Sequence, residues 1–131
     1  MMVVDSSAII AIFQEEDDAQ QLAAGMATAD QLVMSAVNAH ETAMILRARG
    51  GPESAEDFWR FLSINSIEVA PFDKDQARGA SEAFGRFGKG VHSKARLNLA
   101  DCAAYALAKS LSAPLLFKGD DFIHTDIEQW R

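Results

Sequence analysis

The sequence is poor in the residues that staple, break or anchor a chain. Cysteine occurs once, at Cys102, in 131 residues. One thiol excludes a disulfide framework and any multi-cysteine zinc site, and it fits a reducing compartment, so a cytoplasmic location is expected. Proline occurs 3 times and charged residues make up 24%, which argues against a disordered tail or linker. No apolar run approaches the roughly 20 residues needed to span a bilayer. The start, Met1-Met2-Val3-Val4-Asp5, lacks the basic beginning and long apolar stretch of a signal peptide. Neither membrane insertion nor secretion is expected. Positive charge is scarce too: 12 Lys and Arg against 19 Asp and Glu leave a net charge of -7. Proteins that grip nucleic acid over a broad surface are normally basic, so this total counts against a general nucleic-acid binder. It leaves room for an enzyme whose acids hold metal in one place while basic residues gather in another, and it suits a basic partner.

Apolar bulk is what the chain has. At 131 residues and 49% hydrophobic, it has enough for one core and reads as a single domain over residues 1–131. Four short β-like runs, at 2–4, 31–35, 67–72 and 114–117, alternate with helical patterns at 7–13, 19–27, 37–49, 54–62, 73–87 and 99–111. Gly50-Gly51-Pro52 stops one helix, and Pro52 with Ser54 and Asp57 at capping-box spacing starts the next. Asp73 suits an N-cap. The alternation predicts an α/β sandwich with a mostly parallel central sheet, in which function gathers beyond the carboxyl ends of the strands. The stretch 85–94 (GRFGKGVHSK) reads as a flexible surface loop. Phe58, Trp59, Phe61 and Leu62 cover too much of their helix for one face; a homodimer or partner surface accounts for them, as does a second layer of the same core.

The informative residues are acids in apolar surroundings. Asp5 ends the first strand, where it also suits a helix N-cap. Glu41 sits four residues after Val37 and four before Ile45, inside an apolar stripe completed by Met44 and Ala48. A carboxylate there has to be paired, protonated or metal-bound, the plainer alternative being a salt bridge at the stripe's edge. Asp101 lies in a helix start of small apolar residues, on a face shared with Leu97, Ala104, Ala108 and Leu111. The helix dipole favours an acid at that position, which accounts for Asp101 but not for Glu41. Asp120 and Asp121 follow Gly119 in a turn at the end of the last strand.

A parallel α/β sheet brings these positions to one edge. Carboxylates gathered within a few Å repel and raise one another's pKa, and a hard divalent cation relieves that repulsion. An all-oxygen set without a His or Cys cluster selects Mg²⁺ or Mn²⁺ over zinc. Such a site can activate water and stabilise charge on a phosphoryl oxygen, as in one- or two-metal phosphodiester hydrolysis. Other chemistries lack their motifs. There is no Gly-Lys-Ser/Thr phosphate loop and no Gly-x-Gly-x-x-Gly after the first strand. No Gly-x-Ser-x-Gly elbow makes Ser6 or Ser7 a nucleophile. An aspartyl phosphatase would need an acid where Ser7 stands, and a receiver would need one ending the third strand. His40, His92 and His124 are dispersed and read as surface or hydrogen-bonding residues.

Together, the start Val3-Val4-Asp5-Ser6-Ser7-Ala8, the segment from Ser35 to Glu41, the run from Leu97 through Asn98-Leu99-Ala100-Asp101 to Ala108, and the turn Phe117-Lys118-Gly119-Asp120-Asp121-Phe122 resemble the VapC toxins of the PIN-domain ribonucleases. The likeness runs through essentially the whole chain, in order and at matching separations. It implies a PIN-like three-layer α/β/α sandwich with a mostly parallel sheet of about four to five strands. It also implies a Mg²⁺- or Mn²⁺-dependent endoribonuclease acting on structured RNA such as transfer RNA, and a cognate VapB-like antitoxin. Asp5, Glu41 and Asp101 match the family's metal-binding acids. Many relatives carry Asp where this chain has Gly119, so the fourth acid passes to Asp120 or Asp121 or is dispensed with; Asp121 is chosen. Lys89, His92, Lys94 and Arg96 are assigned to RNA phosphates, against an ordinary solvated loop. Two other readings stand beside this one: a catalytically weak PIN scaffold acting through its antitoxin or RNA, and a phosphohydrolase of small esters.

Overall fold

The computed structural model describes residues 1–131. Strands β1 (Met2–Val4), β2 (Leu32–Ser35), β3 (Ile67–Ala70) and β4 (Leu115–Leu116) form one sheet in the order β3-β2-β1-β4. All three pairings are parallel. Five helices make the crossovers: α1 (Ser6–Phe13), α2 (Ala19–Ala27), α3 (Ala36–Ile64), α4 (Lys74–Phe87) and α5 (Leu99–Leu111). The expected sandwich is present, with four strands. An isolated bridge between Leu115 and Gln129 lets the C-terminal segment run along β4, where the Leu115 amide donates to the Glu128 carbonyl at 2.9 Å.

The alternation of side chains along the strands builds the three layers. Met2 and Val4 of β1, Leu32 and Met34 of β2, and Leu116 of β4 pack with α1, α2 and α3. Val3, Val33 and Leu115 face the opposite way and pack with α4 and α5. A sheet covered on both faces explains why its strands read as continuous apolar runs. Helix α5 is buried from Ala100 to Ala108, and its alanines let it lie close to the sheet and to α4. Phe58 and Leu62 belong to the core on the α1–α3 side, whereas Trp59 remains 41% exposed.

Three expectations shift in detail. The two helices foreseen over 37–49 and 54–62 form one long element broken at Gly51, whose φ of 80° and ψ of -176° suit glycine almost alone. Pro52 directly follows the break, where its missing N–H is harmless. The second half therefore begins before Ser54, and Asp57 pairs with Arg60 instead of closing a capping box. The stretch 85–94 is not a free loop. Residues 85–87 complete α4, and the Lys89 amide bonds the Leu97 carbonyl at 3.0 Å while the Leu97 amide bonds the Phe87 carbonyl at 3.1 Å. His92 closes that turn: its Nδ1 accepts the amides of Lys94 (3.0 Å) and Ala95 (2.8 Å), and its ring lies 5.8 Å from that of Phe87.

The third shift concerns the stripe around Glu41. The buried face of α3 is Asn38, Ala39, Thr42 and Leu46; Val37, Glu41 and Ile45 are half-buried, and Met44 and Ala48 exposed. Two polar residues on the inner face disguised it. Thr42 is satisfied locally, its hydroxyl donating to the Asn38 carbonyl at 2.7 Å.

Candidate metal-binding carboxylate site

The four acids lie near element ends at the carboxyl edge of the sheet. Asp5 follows β1 and caps α1, its Oδ2 accepting the Ser7 amide at 3.0 Å. Ser35 ends β2 and caps α3, and Glu41 lies in the helix's second turn. Asp101 stands at the third position of α5 in a reciprocal capping box: its amide donates to Asn98 Oδ1 at 2.9 Å and its Oδ2 accepts the Asn98 amide at 3.1 Å. After β4 the chain turns at Gly119, whose φ of 97° suits glycine, and presents Asp120 and Asp121 to solvent.

Two of the acids are buried, and the others act on them by charge. Asp5 is 3% exposed and Asp101 8%. Burial pushes the Asp5 carboxyl from 3.8 up to about 6, with Glu41 adding to the rise and the bonds from Ser7 opposing it. Asp101 is pushed up to about 7, first by burial and then by Asp5, with Asp121 and Glu41 adding to the rise and the Asn98 bond opposing it. Of the turn after β4, Asp121 contributes to that rise. Asp5 and Asp101 are thus two buried carboxyls whose ionisation is opposed by burial and by neighbouring acids, with no cation among their hydrogen-bonded partners. No three of these side chains stand close enough together, as placed, to hold a metal ion between them. An open carboxylate set suits Mg²⁺, which keeps several of its waters and needs one or two protein carboxylates.

Residues outside the expected set hold the acids in place. Ser7 donates its hydroxyl to Asp5 Oδ2 at 2.6 Å and accepts the Lys118 amide at 3.0 Å, tying the turn after β4 to the first acid. The Lys118 ammonium is engaged elsewhere, by Glu16 and by Asp18 at 3.2 Å, and both partners raise its pKa. Asn38 is fully buried and lies against Asp5, Ser6 and Ala100. The Asp-x-Ser spacing at a helix start was a readable signal for Ser7. Asn38 was masked by the one-residue error in the stripe. Lys89, Lys94 and Arg96 are exposed on the segment that leads into α5, and His92, half-buried, is occupied in holding that segment. Beside Glu41 lies a cavity of about 230 Å³ lined by Val37, Met44 and Leu99. Leu99 also borders an apolar depression of about 440 Å³ between Phe72 and Phe84.

The chain is a wholly parallel α/β/α sandwich with buried and exposed carboxylates at the sheet edge where open α/β sheets place their ligand sites. The PIN domain family matches residues 2–128, and the chain belongs to that family. Among curated relatives, ribonuclease VapC42 of Mycobacterium tuberculosis is 44% identical over 126 residues, covering 96% of each chain. Solved structures share the fold. VapC20 of Mycobacterium tuberculosis, described as a Sarcin-Ricin loop cleaving toxin, superposes with a TM-score of 0.80 at 18% identity over 97% of this chain and 96% of its own. A toxin–antitoxin complex from Klebsiella pneumoniae gives 0.70 at 16% identity, over 96% and 93%.

Proposed function

We propose that the chain is a Mg²⁺- or Mn²⁺-dependent endoribonuclease, the toxin of a type II toxin–antitoxin module, that cuts phosphodiester bonds in structured RNA such as transfer RNA. The observation that carries the reading is the placing of two buried carboxyls, Asp5 and Asp101, at one sheet edge, where burial first, and then the charges of Asp5, Asp121 and Glu41, push Asp101 up to about 7. Asp5 and Asp101 hold the ion, with Glu41 and Asp121 completing its surroundings. When bound, the ion stabilises charge on a phosphoryl oxygen and activates a water nucleophile. Ser7 and Asn98 fix the two buried carboxylates by hydrogen bonds, so that little reorganisation accompanies the reaction. Lys89, Lys94 and Arg96 orient the RNA backbone by phosphate contacts, and His92 keeps the segment that carries them in shape.

The apolar depressions running from Phe72 and Phe84 past Leu99 to Glu41 support an antitoxin that lays an apolar segment along α5 and offers a basic side chain to the acids. Exposed Trp59 supports a homodimer. The buried free thiol of Cys102 supports a reducing, cytoplasmic setting.

The test is cleavage of total cellular RNA by antitoxin-free protein with Mg²⁺ or Mn²⁺, run beside EDTA and an Asp5→Ala variant. Discrete fragments that disappear in both controls are expected, and sequencing their ends identifies the target. Intact RNA from a folded, metal-binding protein would reject the nuclease and leave the binding scaffold.

A further inference from the structure

The structure assigns to Asn38 a positioning role that no acid of the site can fill for itself: one side-chain amide ties together the three elements that carry Asp5, Glu41 and Asp101. This inference rests on the metal-dependent reading above. Asn38 is 0% exposed. Its Nδ2 approaches three oxygens, Asp5 Oδ1 at 3.4 Å, Ser6 Oγ at 3.1 Å and the Ala100 carbonyl at 3.1 Å. The carboxylate and the carbonyl only accept, so the nitrogen, not the oxygen, has to face them. The Ser6 hydroxyl is itself directed at the Asn38 carbonyl at 3.2 Å, which leaves its oxygen free to accept from Nδ2.

The covalent neighbourhood makes the contact consequential. Ala100 precedes Asp101, Ser6 follows Asp5, and Glu41 lies three residues beyond Asn38 on the same helix. A single donor group thereby sets the spacing between the starts of α1 and α5 and the inner face of α3. The geometry is kept at a cost, because Asn38 Oδ1 is buried with no hydrogen-bond partner. An unpartnered buried acceptor is destabilising, and packing alone would be served as well by leucine. The side chain is therefore explained by what its nitrogen does. With Ser7 on Oδ2 and Asn38 beside Oδ1, both oxygens of Asp5 are oriented. Groups that orient ligating carboxylates typically change metal affinity about 10- to 100-fold when removed.

The experiment compares Mn²⁺ binding, followed by the electron paramagnetic resonance of the free ion, in the natural chain, Asn38→Leu, Thr42→Val and Asp5→Asn. Thr42 shares the buried face with Asn38, and its hydroxyl bonds a backbone carbonyl and not an acid, so Thr42→Val reports the effect of a merely structural loss. Asn38→Leu is expected to bind Mn²⁺ about 10- to 100-fold more weakly, with a melting temperature no lower than that of Thr42→Val. Natural affinity in a folded Asn38→Leu would overturn the role. Should that variant fail to fold, ¹⁵N spectra of the natural chain decide: the Asn38 side-chain amide signals are expected to move with Mg²⁺ in step with the Asp5 backbone amide. Unmoved Asn38 signals beside a shifted Asp5 would reject the proposal. If Asp5→Asn binds Mn²⁺ as tightly as the natural chain, the acid-site reading fails instead.

Discussion

At the scale of single residues, Asp101 separates a structural acid from a functional one. Its capping box accounts for a carboxylate near the start of α5, yet Asn98 would be served equally well by an asparagine partner. Burial and the neighbouring acids Asp5, Asp121 and Glu41 work against its ionisation. Asp101→Asn should keep the cap and remove the repulsion. We expect the metal-free variant to melt about 2–4 °C higher than the natural chain near pH 8, while ribonuclease activity falls at least about 100-fold. Calorimetry and a cleavage assay on the same preparations check both. A variant that melts higher and remains active would make Asp101 a cap alone. Asp5 and Asp101 were legible because charge at a strand or helix end beside small apolar residues stands out in a sequence. Glu41 was found through a stripe drawn one residue off the buried face, because Asn38 and Thr42 make that face polar. A buried amide satisfied by distant partners leaves no periodic trace. For the same reason Asn38 could be recovered only from its contacts with Asp5 and Ala100.

At the scale of elements, the long helix α3 joins two functions through one residue. Its first half carries Asn38 and Glu41 at the sheet edge, and its second half contributes Phe58 and Leu62 to the core. Gly51 sets the angle between them with a φ of 80°, and a methyl group there would meet no atom within 4 Å. Any effect of Gly51→Ala therefore comes from backbone strain. We expect a loss of about 1–3 kcal/mol, read as a lower urea midpoint with an unchanged slope, and an unchanged Mn²⁺ affinity. A neutral substitution would mean that the two halves can meet at another angle. Gly50-Gly51-Pro52 announced this break in the sequence, as alternating apolar runs announced the strands. The segment around His92 was not legible. Composition rich in glycine and charge describes a flexible loop, and nothing in it reveals that an imidazole nitrogen collects two backbone amides.

At the scale of the whole molecule, folding brings together acids that an unfolded chain keeps apart, so stability, pH and metal are linked. Asp5 and Asp101 have pKa values of about 6 and about 7 in the folded chain against an ordinary 3.8. A carboxyl whose pKa is raised by folding binds its proton more tightly in the folded state. Its contribution to stability is complete below about pH 4 and is lost as the pH rises through about 6 to 7. The metal-free protein should therefore lose stability across that interval. On the metal-dependent reading proposed above, a divalent ion acts in the opposite sense, because it would bind the deprotonated acids and displace their protons. The rise in melting temperature on adding saturating Mg²⁺ should be small at about pH 5, should grow between about pH 6 and 7.5, and should level off above about pH 8. The net charge of -7 also attracts cations without regard to site, as a general effect. The Asp5→Asn, Asp101→Asn double variant isolates it, since it keeps most of the negative charge but neither buried carboxyl. Its Mg²⁺ increment should be small and nearly flat with pH. An equally steep profile in the double variant would place the coupling between folding and metal outside these two acids.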